Sequence, residues 1–347
     1  MRQTIVRKTR SVCPVCIRDI DADIIEENNK IYMIKGCKEH GKFRVFLSGD
    51  AKYYKALNKL DLTIKLPNLY IDSLALLFLT SKCNLNCPIC YTKTSKKNKG
   101  PEEPKLEEIK KILKEFKNTE IALFGGEPTL RGDLIKIVKE IIKSGNIPLL
   151  VTNGIRISDF EYLKKLKNAG IKMVLLQFDG FSDEAYKKIR GKSLLDIKKK
   201  ALENLKKLGM STSLEVAVCK GINDKELGKI LDYASDNDFI KQICFRSYGF
   251  LGTKKINYEK MPTIDEIIDI LEKETNGKIT KEDILRFQKL IYSMKEIFGF
   301  IPVDLCLYAQ NYMLIRDKGK LKAISDIFNT KKIGKSLDRY ILSLIHI

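Results

Sequence analysis

The chain reads as an α/β protein: a partial (β/α)6, TIM-like barrel with a small N-terminal metal-binding knuckle and a mostly helical C-terminal extension. Three observations predict this. Six apolar, β-type runs alternate with amphipathic helix patterns between about residues 70 and 250. The residues that carry chemistry follow those runs. Five of the nine cysteines fall into two short-spaced groups, one N-terminal to the first run and one just after it.

The strand candidates are Leu74–Leu79, Glu120–Phe124, Ile147–Thr152, Met173–Phe178, Leu214–Val218 and Gln242–Phe245. Between them lie the helix patterns Lys105–Lys117, Asp133–Ser144, Asp159–Ala169, Leu194–Leu208 and Asp224–Asn237. A helix between each pair of strands implies a parallel sheet with right-handed crossovers. In barrels of this kind the chemistry sits in the loops after the C-terminal ends of the strands. Three domains are expected: 1–66, a knuckle with short strands at Ile31–Ile34 and Phe43–Phe46; 67–255, the barrel; and 256–347, the extension. The extension holds two helix patterns, Thr263–Glu274 and Lys281–Ile297, and a hairpin formed by Tyr312–Arg316 and Leu321–Ser325. The closing Leu342-Ser-Leu-Ile-His-Ile347 reads as translated sequencing adapter, so the natural chain is expected to continue past about residue 340.

At 347 residues the chain is long enough to bury a full core. The longest apolar run, Leu74–Leu79, falls far short of the roughly 20 residues of a membrane span. The first ten residues are basic and lack an apolar core segment, so no signal peptide and a cytoplasmic location are expected. Lys+Arg number 64 and Asp+Glu 44, a formal charge of +20. Such a surplus admits RNA or phosphorylated partners, but no stretch mixes aromatic residues with the lysines. The sequence thus favours scattered lysines on solvated helix faces.

The first strand run leads into Ser81-Lys-Cys83-Asn-Leu-Asn-Cys87-Pro-Ile-Cys90-Tyr91. Three thiolates in one loop suit an iron–sulfur cubane but ligate only three of its irons, leaving the fourth open; a structural zinc site would close with four ligands. The second run ends Gly125-Gly126-Glu127-Pro-Thr129, where the glycines let the backbone approach a ligand and Glu127 accepts hydrogen bonds from an amino group. Thr152-Asn153-Gly154 and Gln177-Phe-Asp179-Gly180 follow the next two runs. As turn formers they need no ligand to explain them.

Near the N-terminus, Cys13-x2-Cys16 and Cys37-x2-His40 lie about 20 residues apart. This spacing folds two ligand pairs around one ion. A Cys3His zinc site is the direct reading; a rubredoxin-like mononuclear iron with another cysteine closing the set is the alternative. Cys244, in Ile243-Cys-Phe245, reads as packing. Cys219 is a packing or cavity thiol, and Cys306 is a candidate ligand of an auxiliary cluster.

The CxxxCxxC loop after a first barrel strand resembles the signature of the radical S-adenosylmethionine (SAM) superfamily, and Gly125-Gly126-Glu127-Pro128 resembles that family's GGEP motif. The resemblance implies a [4Fe–4S] cluster on Cys83, Cys87 and Cys90, with SAM chelating the open iron. It implies reductive cleavage to a 5′-deoxyadenosyl radical, with electrons from a reductase such as ferredoxin or flavodoxin. It further implies SAM contacts at Gly125, Gly126 and Glu127, and at Asn153, Gln177, Asp179, Arg190 and Val218. The residue before the third cysteine is Ile89 where relatives carry an aromatic, so the adenine cover falls to Ile89 or Tyr91. Together, the knuckle and the Cys87-Pro-Ile-Cys90-Tyr91 loop resemble a subfamily of tetraether-lipid synthases and pterin dimethyltransferases. That resemblance implies C–H activation on a lipid or small molecule. Peptide-modifying and RNA-modifying radical SAM enzymes, and a metal-binding module without turnover, are the alternatives.

Overall fold

The computed structural model describes residues 3–59, 74–90, 102–247, 261–298, 312, 314–317 and 320–323, with the backbone alone for 290–298, 315–317 and 320–323. Contacts divide the chain into two compact units, 68–261 and a second made of 1–67 with 262–347. The sequence drew the N-terminal and C-terminal pieces apart, and their contacts group them.

In the first unit, six strands pair in parallel: β5 (Leu74–Thr80), β6 (Glu120–Gly125), β7 (Ile147–Thr152), β8 (Met173–Gln177), β9 (Ser211–Val218) and β10 (Ile240–Ser247). Their order in the sheet is the order in the chain. Helices α2 (Leu106–Leu113), α3 (Leu134–Lys143), α4 (Phe160–Ala169), α6 (Leu195–Lys207) and α7 (Leu227–Ser235) fill the crossovers. A further helix, α5 (Asp183–Arg190), precedes α6 in the same crossover. This is the α/β arrangement that the alternation predicts. The strands show because both their faces are covered: Ile121, Ala122 and Leu123, then Leu149 and Leu150, are all buried. Helix α3 sends Leu134, Ile137, Val138 and Ile141 into the core at helical spacing.

The other unit opens with an antiparallel sheet ordered β1 (Thr4–Val12), β2 (Asp19–Glu27), β3 (Lys30–Cys37), β4 (Gly41–Ser48). Helix α1 (Ala51–Asn58) starts at Asp50, whose carboxylate accepts the Tyr53 amide at 2.9 Å. It covers a small core of Ile24, Ile31 and Ala51 with Val6, Met33 and Leu47. Helix α8 (Ile264–Glu274) is tied to this sheet by Asp265, which accepts the Gly49 amide at 2.8 Å. Lys281, the first residue of α9 (Lys281–Phe298), bridges Asp269 at 2.7 Å and Asp50 at 3.4 Å. The expected hairpin is present as β11 (Leu314–Asp317) and β12 (Lys320–Ala323). Among the described residues no helix is long and apolar enough to cross a membrane.

Candidate active site

The three-cysteine loop leaves β5 and is fixed from beneath by β6. The Gly126 amide donates to the Thr80 carbonyl at 2.7 Å and the Glu127 amide to the Lys82 carbonyl at 2.8 Å. A Cβ on Gly125 would lie 2.4 Å from the Thr80 oxygen, and one on Gly126 would lie 2.2 Å from that of Lys82. Any side chain here would push the two backbones apart. The sequence reading assigned these glycines to a bound ligand; what they approach in the fold is the cysteine loop itself. At Gly125 the φ of +148° adds a second reason for glycine.

Glu127 is 1% exposed, and its carboxylate ties the ends of β6 and β7 together. Oε1 accepts from the Thr129 hydroxyl at 2.6 Å, the Thr129 amide at 3.2 Å and the Thr152 hydroxyl at 2.8 Å; Oε2 accepts the Asn153 amide at 2.7 Å. Burial pushes its pKa up, and these donors oppose the rise. A carboxylate has about four acceptor positions, so Oε2 keeps one lone pair beyond these bonds. Asn153 in turn donates to Asn84 in the cysteine loop at 2.7 Å and lies 4.0 Å from the Cys83 sulfur. Asn84 was not singled out in the sequence, because nothing in its local pattern marks it.

Within the loop, Leu85 is buried against Tyr186 and Leu194, with Cys83 and Cys87 packed on that cluster. The Leu85 amide donates to the Cys83 sulfur at 3.4 Å. Burial raises the Cys83 thiol to about 11, with the charges of Glu127, Cys87 and Cys90 adding to the rise. Cys87 is also raised by burial, and Arg190 opposes the shift. Three sulfurs that feel one another's charge in a half-buried loop are costly as free thiolates and suited to a cationic group that takes all three. The donor set therefore fits an iron–sulfur cluster. Ile89 packs against Ala185, Ile189 and Cys219, and Tyr91 lies outside the described residues.

The remaining predicted residues gather at the ends of β8 and β9. Asp179 is fully buried, and Arg190 grips it with both ends of its guanidinium, Nε to Oδ2 at 2.7 Å and Nη2 to Oδ1 at 2.8 Å. Gln177 donates its amide to Asp179 as well. Expected as separate SAM contacts, Asp179 and Arg190 are in the fold each other's partners. Val218 is fully buried, so its side chain packs in the core at the end of β9. Asn223 does not cap the following helix through its side chain: it accepts the Cys219 amide at 2.8 Å and donates to the carbonyls of Asp179 (2.9 Å) and Ala217 (2.8 Å). Tyr186, another residue absent from the sequence reading, donates to the Gly180 carbonyl at 3.0 Å and accepts the Asp179 amide at 3.2 Å.

Lys198 is the largest omission. Its side chain on α6 is wholly buried, and Nζ donates to the Gln177 carbonyl and side-chain oxygen, each at 2.7 Å, and to the Asn153 carbonyl. Burial pulls its pKa down to about 7, and Asp179 opposes that pull. In the run Lys198-Lys199-Lys200 it looks like part of a solvated face. The available signal was phase, because 194, 198, 201 and 205 fall on one helical stripe and the other three are Leu, Ala and Leu.

In the other unit, Cys13, Cys16, Cys37 and His40 place their ligand atoms within 4.8 Å of one another. Cys37 Sγ lies 3.4 Å from His40 Nδ1, Cys13 Sγ lies 3.7 Å from the same nitrogen, and Cys16 Sγ lies 3.9 Å from Cys37 Sγ. Tetrahedral thiolates about 2.3 Å from one ion stand ~3.8 Å apart, so the set fits a single closed metal site. His40, not a further cysteine, completes it. Cys306 lies outside the described residues.

The comparisons with known proteins fall on these same pieces. A family model described as the radical SAM superfamily matches residues 77–234, and one described as the HMPTM N-terminal zinc ribbon domain matches residues 5–49. A 7,8-dihydro-6-hydroxymethylpterin dimethyltransferase of Methanocaldococcus jannaschii is 39% identical over 306 residues, covering 80% of this chain and 60% of its own length. A probable GTP 3′,8-cyclase of Methanococcus maripaludis is 36% identical over 287 residues, covering 78% of this chain and 92% of its own. Among solved structures, native anSMEcpe with bound AdoMet and Cp18Cys peptide superposes with a TM-score of 0.47 at 21% identity, covering 67% of each chain. The chain thus spans 60% of the dimethyltransferase it resembles and nearly all of the cyclase. Because the matched stretch runs from β5 into α7, through the cysteine loop and the strand ends that hold it, the chain belongs to the radical SAM superfamily, a family of enzymes built on a [4Fe–4S] cluster and SAM.

Proposed function

We propose that the chain reductively cleaves SAM at a cluster held by Cys83, Cys87 and Cys90, and uses the radical to activate a C–H bond of a reduced pterin. When bound, the cluster and SAM supply one-electron cleavage of the sulfonium C–S bond, giving methionine and a 5′-deoxyadenosyl radical that takes a hydrogen atom from substrate. The chain does the rest. Its three thiolates leave one iron for the SAM amino and carboxylate groups. Glu127 offers the spare Oε2 lone pair toward the amine, with Gly125 and Gly126 beside it. Asn153, Gln177 and the Val218 backbone line the strand ends where the nucleoside would lie, and Tyr91 follows the third cysteine. Leu85, Tyr186 and Leu194 form an apolar floor beneath the loop that keeps water from the radical.

The observation that carries this reading is the close seam between the Gly125-Gly126 backbone and the carbonyls of Thr80 and Lys82, which sets the cysteines over the strand ends. The substrate class rests on the relatives: a dihydropterin and GTP, named for the two proteins above, share a fused 2-amino-4-oxopyrimidine ring. The zinc-ribbon match favours the pterin over GTP, and over the lipid, peptide and RNA alternatives that the sequence left open. We further propose zinc at the Cys3His site, a low-potential reductase as partner, and a division of labour in which 67–255 carries the chemistry.

The test is anaerobic reconstitution, followed by dithionite, SAM and 7,8-dihydro-6-hydroxymethylpterin carrying deuterium. Four irons per chain, 5′-deoxyadenosine and transfer of deuterium into it are expected, and Cys87→Ala abolishes all three. A four-iron protein that leaves SAM intact would refute the reading. SAM cleavage without transfer from this pterin, but with transfer from labelled GTP, would move the substrate to the nucleotide.

A further inference from the structure

A continuous line of buried polar groups runs from α6 to the cysteine loop. Lys198 Nζ donates to the Gln177 side-chain oxygen at 2.7 Å, and the nitrogen of the same amide donates to Asp179. Asp179 takes both arms of Arg190, and the helix end that carries Arg190 packs on the residues either side of Cys87: a Cβ on Gly191 would lie 3.6 Å from the Asn86 carbonyl oxygen and 3.7 Å from Pro88 Cδ. The Gln177 amide is oriented by its neighbours, since only its oxygen suits an ammonium and only its nitrogen suits a carboxylate. Nζ faces three acceptors, the Asn153 and Gln177 carbonyls and the Gln177 side-chain oxygen, a set that an ammonium with three N–H groups satisfies and a neutral amine does not. No carboxylate bonds Nζ directly, and the acid nearest it along the line is already paired with Arg190. Along this line two cations face one carboxylate; Glu127, the other buried acid that acts on Nζ, takes its hydrogen bonds from Thr129, Thr152 and Asn153 and has its pKa pushed up by burial.

Burying the Lys198 charge is costly, and a methionine of similar length would staple the helix to the strands at lower cost. We infer that Lys198, Gln177, Asp179 and Arg190 form a cationic relay that sets the electrostatic potential at the Cys87 sulfur and thereby raises the reduction potential of the cluster. The physical ground is general: an added electron is stabilised by net positive charge and by hydrogen bonds to the ligating sulfurs, more strongly where water is excluded. Arg190 is the cation whose charge acts on the Cys87 thiol and Lys198 acts through it, so Lys198 is a positioning residue. The inference rests on the proposal that Cys87 is a cluster ligand.

Two substitutions with opposite electrostatic sign test it. Lys198→Gln removes a positive charge and keeps a hydrogen-bonding side chain; Asp179→Asn removes a negative one and keeps the shape. The readouts are iron and sulfide per chain, and the midpoint potential of the reconstituted cluster from redox titration followed by electron paramagnetic resonance, without SAM. Four irons are expected in the wild type and both variants. The midpoint should fall in Lys198→Gln and rise in Asp179→Asn, each beyond the scatter of replicate titrations. A purely structural role would loosen both sites and move the two potentials the same way or not at all, and that result overturns the relay. Should Lys198→Gln fail to hold iron, the sign of the Asp179→Asn shift alone decides. A wild-type chain that assembles no four-iron cluster overturns the ligand assignment, and the relay with it.

Discussion

At the scale of single residues, the site is governed by what its neighbours forbid. Gly126 has no room for a methyl group, because the oxygen it would meet belongs to the backbone of the cysteine loop. A flexible side chain could swing away; a carbonyl fixed by the Glu127 amide cannot. We predict that Gly126→Ala costs about 1–3 kcal/mol, the usual range for overpacking, and that reconstituted iron falls because the loop is lifted from the strand ends. Gly132 is the control: a Cβ there meets nothing within 4 Å. Gly132→Ala should stay within roughly 0.5 kcal/mol with iron content unchanged. Urea unfolding and iron assay of both variants check this, and equal behaviour of the two would show that the seam is not what positions the loop. The glycine pair was legible in the sequence, but its purpose was not: a motif shows which residues stand together, whereas the atom that a missing Cβ avoids becomes known only when two distant segments meet.

At the scale of elements, the parallel strands were readable, as were β3 and β4 through Ile31–Ile34 and Phe43–Phe46, whereas β1 and β2 were not, for one physical reason. β6 and β7 are buried on both faces and read as apolar runs, so hydrophobicity marks them. β1, with the sequence Thr-Ile-Val-Arg-Lys-Thr-Arg-Ser-Val, is an edge strand exposed along most of its length, and its charges hide it. Helix α5 is likewise absent from the helix patterns read in the sequence, where only its last residue, Arg190, was named. Its other end has a consequence for α6, whose N-cap residue Leu194 supplies no side-chain cap. Asp183 of α5 does so instead, accepting the Leu194 amide at 2.9 Å and the Leu195 amide at 3.1 Å, along with the Ser193 hydroxyl. These bonds, the Ser193 hydroxyl foremost, hold its carboxyl at about 2 against an ordinary value of 3.8. A carboxylate with a depressed folded-state pKa stabilises the fold fully above its unfolded value and loses that contribution as pH falls through the folded one. The stability gap between wild type and Asp183→Asn should therefore be widest above about pH 4 and close as pH falls toward 2. Urea titrations at pH 5 and pH 2.5 measure it, and a gap of equal size at both would sink the assignment. The helix capped in this way is the one that carries Lys198.

At the scale of the whole molecule, the two candidate metal-binding sets belong to different units. Cys13, Cys16, Cys37 and His40 belong to the unit built on the antiparallel sheet, and the three-cysteine loop belongs to the unit built on the parallel one. Their donor sets differ in the respect that decides function. Four ligands within 4.8 Å close a tetrahedron and leave an ion nothing to bind, whereas three thiols on one loop leave a coordination position open. The four ligands join the turn after β1 to the end of β3, so a metal held there would contribute to folding of that sheet. Elemental analysis of the anaerobically reconstituted chain should give one zinc and four irons. Cys13→Ala should lose the zinc and lower the melting temperature while keeping all four irons, since none of its ligands lies in the parallel unit. Cys87→Ala should do the reverse, losing iron with zinc and melting temperature little changed. If Cys13→Ala instead lost its iron while keeping zinc, the two sites would not be independent, and the division between a structural metal and a reactive one would have to be abandoned.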